Sequence, residues 1–440
     1  MRDFYKRALE LNDETIAHRR FFHENAEVGL EMPKACSYVM EQLRKCGIEP
    51  EICGHGVSAT IGAAARKPEG QAEEKTTASS DDPGNLDTPG SSDDPGSVLL
   101  LRADMDALPM PEESGESFAC PTGNQAHTCG HDFHAAMLLT AAKMLKECEN
   151  ELAGTVKFMF QPAEETFEGS KDMIENGILE NPHVDAALAF HVAPGRMPAG
   201  LFMYNSGGVM MSSVDGFRIN IEGKGGHGAY PNLTVDPIQI AVRIYTALEG
   251  LIARESNPEK TCVLTVGKLQ AGNAANIIPD TAELEGTLRT DDPQERKLLV
   301  RRIREIAEGI ARIHGGEAAV TALSEVPPLI CDREFTEQMA GFMMEMNVPG
   351  LEQYPGMKAN ASEDFAIIAS KVPAAFMYLS AGFDDGQGDY PAHNPKVRFN
   401  EDVCPIGAAG LAHCAYRWLE ERYLCSKAAA HADEKANCRL

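Results

Sequence analysis

The chain has 440 residues, of which 43% are hydrophobic and 24% charged, ordinary proportions for a globular protein with room for more than one domain. Its 40 basic and 66 acidic residues give a net charge of −26, which excludes the basic footprint that nucleic acid binding requires. No stretch reaches the roughly 20 uninterrupted apolar residues of a membrane span. The charged, amphipathic start MRDFYKRALELNDE lacks the apolar core and small-residue cleavage site of a secretory signal. Twelve cysteines without framework spacing are expected to be free thiols, and the expected compartment is the cytoplasm.

In chain order, residues 3–26 carry Phe4, Ala8, Leu11, Ile16 and Phe22 near helical spacing, and residues 34–46 read as a second helix. Apolar runs at 57–63 and 97–103 read as strands. Between them lies an acidic, Gly/Pro/Ser-rich stretch in which SSDDPG occurs at 79–84 and again at 91–96. Such a composition cannot bury enough apolar area to offset chain entropy. Residues 66–97 are therefore expected as a disordered insertion at a hairpin tip. Strands at 97–103, 155–161 and 184–192 then alternate with helices at 132–147 and 169–177, the pattern of an α/β domain with a mostly parallel sheet.

Near residue 212 the pattern changes. Strand VDGFRINIEGK, a helix opened by Asp236-Pro237, strands TCVLTVGKLQAG and DTAELEGTLRT, a long helix ending at Gly315-Gly316 and strand AAVTALSEV follow in turn. The order βαββαβ is the ferredoxin-like arrangement, a unit of about 110 residues. The α/β pattern then resumes with strand AAFMYLSAG and a closing helix at 403–422. The expected fold is α/β: a split catalytic domain at 1–211 and 321–425 with a mostly parallel central sheet, an inserted ferredoxin-like domain at 212–320, and a flexible tail at 426–440.

Residues able to do chemistry gather at the ends of the predicted strands in the split domain, where open α/β sheets build their sites. In LRADMDALPM, Asp104 and Asp106 stand two apart on extended chain and share a side; alone, they read equally as a solvated turn. In HTCGHDFHAAML, Cys129 and His131 flank a turn before a helix, and thiolate and imidazole are the usual ligands of zinc and its neighbours. In FMFQPAEETF, Glu164 and Glu165 repel one another unless a cation holds them. One carboxylate can bind metal while the other faces an attacking water. His191, ending an apolar run, and His393, ahead of the closing helix, are each weak signals alone. Together Cys129, His131, Glu165, His191 and His393 are too few for two separately held four-coordinate ions. They suit two ions about 3.5–4 Å apart that share a bridging ligand and a water.

These motifs, together with GKGGHGAYP, ANIIPD, GTLR and HNPKVRFNED, follow in an order that resembles the aminoacylase/carboxypeptidase superfamily of dinuclear metallopeptidases over about residues 15–420. The nearest branch is the amidohydrolases: hippurate hydrolases, N-acyl-amino-acid amidohydrolases and auxin–amino acid conjugate hydrolases. The resemblance implies a metal-dependent hydrolase of N-acyl amino acids. Two divalent ions (zinc, manganese, cobalt or nickel) would be held by Cys129, His131, Glu165, His191 and His393. Glu164 would be the general base, and His227, in the inserted lid domain, would polarise the substrate carbonyl. Asn276 and Arg289 would clamp the substrate carboxylate, with Asp104 and Asp106 behind the ligands. It also implies a homodimer, or a dimer of such dimers, paired through the inserted domain. Asp104 stands where related peptidases carry histidine, and Cys129 where they carry a bridging carboxylate, a departure that fits the amidohydrolase branch. A small dipeptidase on the same core and a non-catalytic metal- or ligand-binding protein are the rival readings.

Overall fold

A computed structural model describes residues 2–63, 96–383 and 389–437. Its largest sheet has eight strands in the spatial order Pro50–Cys53, Gly56–Gly62, Thr155–Gln161, Val98–Asp104, Ala186–Pro198, Ala374–Gly382, Leu201–Tyr204 and Glu352–Pro355. The four central strands, from Thr155–Gln161 to Ala374–Gly382, run parallel. Their continuous apolar runs follow from burial on both faces. Leu99 and Leu101 point into a core roofed by helices His131–Lys146 and Cys404–Asn437, whereas Val98 and Leu100 point into a second core on the opposite face. Each such fully buried leucine stabilises the fold by roughly 1.5–3 kcal/mol.

Four expectations need correction. The N-terminal helix is interrupted at Leu11, giving Phe4–Glu10 and Asn12–Glu24. There the Thr15 hydroxyl donates to the Leu11 carbonyl at 3.1 Å while lying 2.8 Å from the Thr140 hydroxyl, a side-chain bond of the kind that bends helices. The strands around the insertion do not form a hairpin. Thr155–Gln161 lies between them, antiparallel to Gly56–Gly62 and parallel to Val98–Asp104. The crossover through His131–Lys146 supplies that central strand, and pairing follows the crossover rather than the nearest neighbour in sequence. The insertion itself, apart from its last two residues, lies outside the described residues. The closing helix runs from Cys404 to Asn437 and so takes in most of the expected tail; its Ala428, Ala429 and Ala430 are strong helix formers.

A separate antiparallel sheet has the order Cys262–Ala271, Thr281–Thr290, Val214–Glu222 and Glu317–Val326. Helices Pro237–Glu255 and Pro293–Ile313 pack on one of its faces around Ile219, Ile244, Leu284 and Ile303. Each helix opens on a capping aspartate followed by proline: Asp236 accepts from Ile238 N, and Asp292 from Gln294 N and Glu295 N. The fourth correction is here, because the boundary expected at 320 falls inside the last strand, which continues to Val326. No helix among the described residues is long and apolar enough to cross a membrane.

Candidate metal centre

Backbone geometry that few residues tolerate holds the candidate ligands. Gly130, between Cys129 and His131, has φ 96°, and a Cβ there would lie 2.4 Å from Val192 Cγ2 and 3.0 Å from Phe399 Cε1. Only glycine fits this left-handed turn, which places Cys129 outside the helix and His131 at its first position. After strand Thr155–Gln161, Ala163 takes φ 52°, and its carbonyl accepts from Glu168 N and Gly169 N at 3.1 and 3.2 Å. The tight loop so formed presents Glu164 and Glu165. His393 also has positive φ, at 65°, and its N–H donates to the Thr128 carbonyl at 3.0 Å. Non-glycine residues in this region store strain that clusters at functional sites.

The imidazole hydrogen bonds separate ligand from support. His131 Nδ1 donates to the Asp106 carbonyl at 2.9 Å, leaving its buried Nε2 without a hydrogen-bond partner among the described residues. His191 Nδ1 donates to the Val192 carbonyl at 2.7 Å, leaving Nε2 3.5 Å from Cys129 Sγ. His134 has neither nitrogen to spare: Nδ1 bonds Asp104, and Nε2 accepts from Val192 N–H at 2.8 Å. Asp106 Oδ2 also accepts from Glu165 N at 3.0 Å, so one residue orients two of the candidate ligands. Among the described residues Glu165 Oε1 has no hydrogen-bond partner, although His393 Nε2 lies 3.3 Å away and His131 Nε2 3.9 Å away.

Two triads of ligand atoms result, Cys129–His131–His191 and Cys129–Glu165–His393, each with its atoms within 4.8 Å of one another. Cys129 belongs to both. Three further groups are equally close: two include Asp104, which Arg102 holds, and the third, His131–Glu164–Glu165, sets Glu164 beside two of the same ligand atoms. Buried lone pairs on His131 Nε2 and Glu165 Oε1 that meet no donor are what a cation would satisfy, and the thiol, imidazole and carboxylate set suits zinc and its neighbours. Hydrogen bonds on the far imidazole nitrogen are the usual support of metal-binding histidines.

The electrostatics of the pocket agree with that fit. Burial, then Glu363 and Asp364, push the Glu164 carboxyl well above its usual range. Burial also raises Glu165, but His393 and His131 beside it bring it below the ordinary value. Burial holds the Cys129 thiol at about 12. Arg102, fully buried, binds Asp104 Oδ2 at 2.7 Å, Glu363 Oε1 at 2.8 Å and Asp364 Oδ1 at 3.1 Å. Arg102 thus answers three carboxylates at once, and a metal ion nearby would shift the balance further towards the charged forms.

Glu363 and Asp364 were not singled out in the sequence. The only signal there is Ser-Glu-Asp-Phe before a short helix, which any helix start can show. Of the expected site residues, the structure brings together Cys129, His131, Glu164, Glu165, His191 and His393, with Asp104 and Asp106 behind them. Arg289, from the smaller sheet, reaches this region: its Nη1 donates to Ser362 Oγ at 2.7 Å, next to Glu363. His227 and Asn276 lie elsewhere. They are exposed neighbours on a short ladder in which His227 pairs with Ile277 and Gly228 N donates to the Asn276 carbonyl at 2.9 Å. Among the described residues no hydrogen bond or ion pair joins them to the cluster.

A mixed α/β sheet with parallel central strands, carrying a cluster of thiol, imidazole and carboxylate groups at its strand ends, fits a metallohydrolase class of site. The chain belongs to peptidase family M20/M25/M40, which residues 100–417 match. It is 33% identical to thermostable carboxypeptidase 2 of Saccharolobus solfataricus over 92% of this chain and 94% of that protein. It is 34% identical to N-acetylcysteine deacetylase of Bacillus subtilis over 73% of this chain and 82% of that protein. Its fold is similar to the crystal structure of the Bacillus subtilis YXEP protein, described as a dinuclear metal binding peptidase from this family. The TM-score is 0.73 at 28% identity, covering 94% of this chain and 99% of that one.

Proposed function

We propose that the chain is a two-metal amidohydrolase that converts N-acyl amino acids to a free amino acid and a carboxylic acid. The observation that carries this reading is the pair of ligand triads sharing Cys129, with Glu164 beside them. The named activity of the Bacillus subtilis deacetylase supports the substrate class. In this reading one ion is held by Cys129, His131 and His191, and the other by Cys129, Glu165 and His393. Bound there, the ions supply Lewis acidity and make a water acidic enough to react near neutral pH.

The chain's own residues do the rest. Glu164, with Oε1 facing Asp364 N–H at 3.4 Å, takes a proton from the attacking water and later gives it to the leaving nitrogen. Arg289 grips the substrate's free carboxylate through parallel hydrogen bonds, assisted by Asn276. The smaller sheet and its helices, 212–326, act as a ferredoxin-like lid inserted between the two halves of the catalytic domain. His227 donates to the substrate carbonyl either after the lid closes or from the partner subunit of a homodimer. The free cysteines among the described residues suit a reducing compartment such as the cytoplasm.

The Saccharolobus relative's name favours a second reading, a carboxypeptidase or dipeptidase on the same core. Release of amino acid from N-acetyl, N-benzoyl and indole-acyl amino acids, set against free-amine dipeptides, separates the two. A chain that cleaves only the dipeptides contradicts the amidohydrolase reading. On N-acyl amino acids Arg289→Ala raises KM by about 10- to 100-fold, the size of a lost charge-assisted pair. On the matching C-terminal amides, which offer no carboxylate, it has little effect. Equal losses on both substrates would make Arg289 structural.

A further inference from the structure

The strand Ala374–Gly382 runs parallel to Ala186–Pro198 at the middle of the large sheet, and Tyr378 pairs with His191 in register. Paired residues leave a sheet on the same face. The Tyr378 ring accordingly lies with its centroid 5.0 Å from that of His191, whose Nε2 is 3.5 Å from Cys129 Sγ. Phe376 packs edge-on against the same tyrosine ring at 5.5 Å. Tyr378 is therefore a wall of the candidate metal centre, fixed by the sheet and not by a loop.

Its hydroxyl is poorly used. Among the described residues its partner is Met211 Sδ at 3.9 Å, and a thioether is a weak acceptor. Buried phenols usually give their hydrogen bond to oxygen or nitrogen. A phenol donor is thus carried on a ring that packs against a ligand candidate, and its hydroxyl sits against a partner that is easily given up.

Building on the amidohydrolase reading, we infer that the Tyr378 hydroxyl leaves the Met211 sulfur and donates a hydrogen bond to the acyl carbonyl oxygen of the bound substrate. Water oxygen bonds to the carbonyl carbon as the C=O π pair moves onto that oxygen, and the Tyr378 O–H is aimed at the charge that gathers there. No proton leaves the tyrosine. When the pair returns, the C–N bond breaks and the nitrogen departs with the proton carried by Glu164. Tyr378 belongs to the same sheet as His191, so this donor is in place before any lid closes. The exposed His227 would supply a second donor afterwards.

Tyr378→Phe keeps the ring and removes only the donor. It lowers kcat about 10- to 100-fold and leaves KM for N-acyl amino acids within about threefold, with metal content and Tm unchanged. Affinity for a phosphinate analogue of the tetrahedral species falls by the same factor as kcat, while affinity for the amino acid product does not. Met211→Leu, which removes the sulfur but not the phenol, keeps kcat within about twofold of wild type. Wild-type-like turnover and analogue binding in Tyr378→Phe would overturn the inference alone. So would an equal loss in Met211→Leu, which would mean packing and not donation. A wild type that hydrolyses no N-acyl amino acid would remove the amidohydrolase reading, and this inference with it.

Discussion

Glu164→Gln loses about 10²- to 10⁴-fold in kcat while keeping its metal and its fold. The substitution is nearly isosteric, and a glutamine carbonyl can still face Asp364 N–H, which lies 3.4 Å from Glu164 Oε1. What disappears is the ability to accept and return a proton. Stability moves the other way. Burial and the neighbouring Glu363 and Asp364 already oppose a charge on Glu164, so removing that charge relieves repulsion among buried carboxylates. The variant's Tm is expected to equal or exceed that of the wild type in the metal-free protein. Turnover and calorimetry together make the check: near-normal turnover would remove Glu164 from the chemistry, and a large drop in Tm would mean that it is a structural residue.

Cys129→Ala is expected to disturb both ions at once, because Cys129 is the residue common to the two ligand triads. His191→Ala, which belongs to one of those triads, is expected to weaken a single ion and spare the other. Metal content by elemental analysis separates the two outcomes, and kcat of the Cys129 variant should fall by at least about 10³-fold. Full occupancy and activity in Cys129→Ala would exclude it as a shared ligand. Full activity in Cys129→Ser with unchanged metal would do the same.

What could be read from the chain follows from how local each signal is. Strands 155–161 and 374–382 match the structure at both ends, because burial on both faces writes an unbroken apolar run into the sequence. The Cys129–Gly130–His131 turn was legible because metal-compatible side chains crowded within a few residues rarely serve packing alone. Other features depend on partners far away in the chain. Arg102 and Glu363 are 261 residues apart, and neither an arginine within a strand nor a glutamate before a helix announces the other. His131 and His134 look alike in sequence, and only their hydrogen bonds distinguish a candidate ligand from a residue whose two nitrogens are already used. Tyr378 reads as one more apolar position in a core strand until its register with His191 is known. The break at Leu11 needed Thr140, on another helix, beside Thr15.

A metal titration tests the two-ion centre most directly. Metal-free protein is prepared by chelation and given increasing zinc, manganese, cobalt or nickel, and hydrolysis of an N-acetyl or N-benzoyl amino acid is followed at each step. Activity should be absent at the start, rise with added metal and level off at about two equivalents per chain. A plateau at one equivalent would contradict the shared-ligand, two-ion centre, and hydrolysis by protein that holds no metal would contradict the mechanism as a whole.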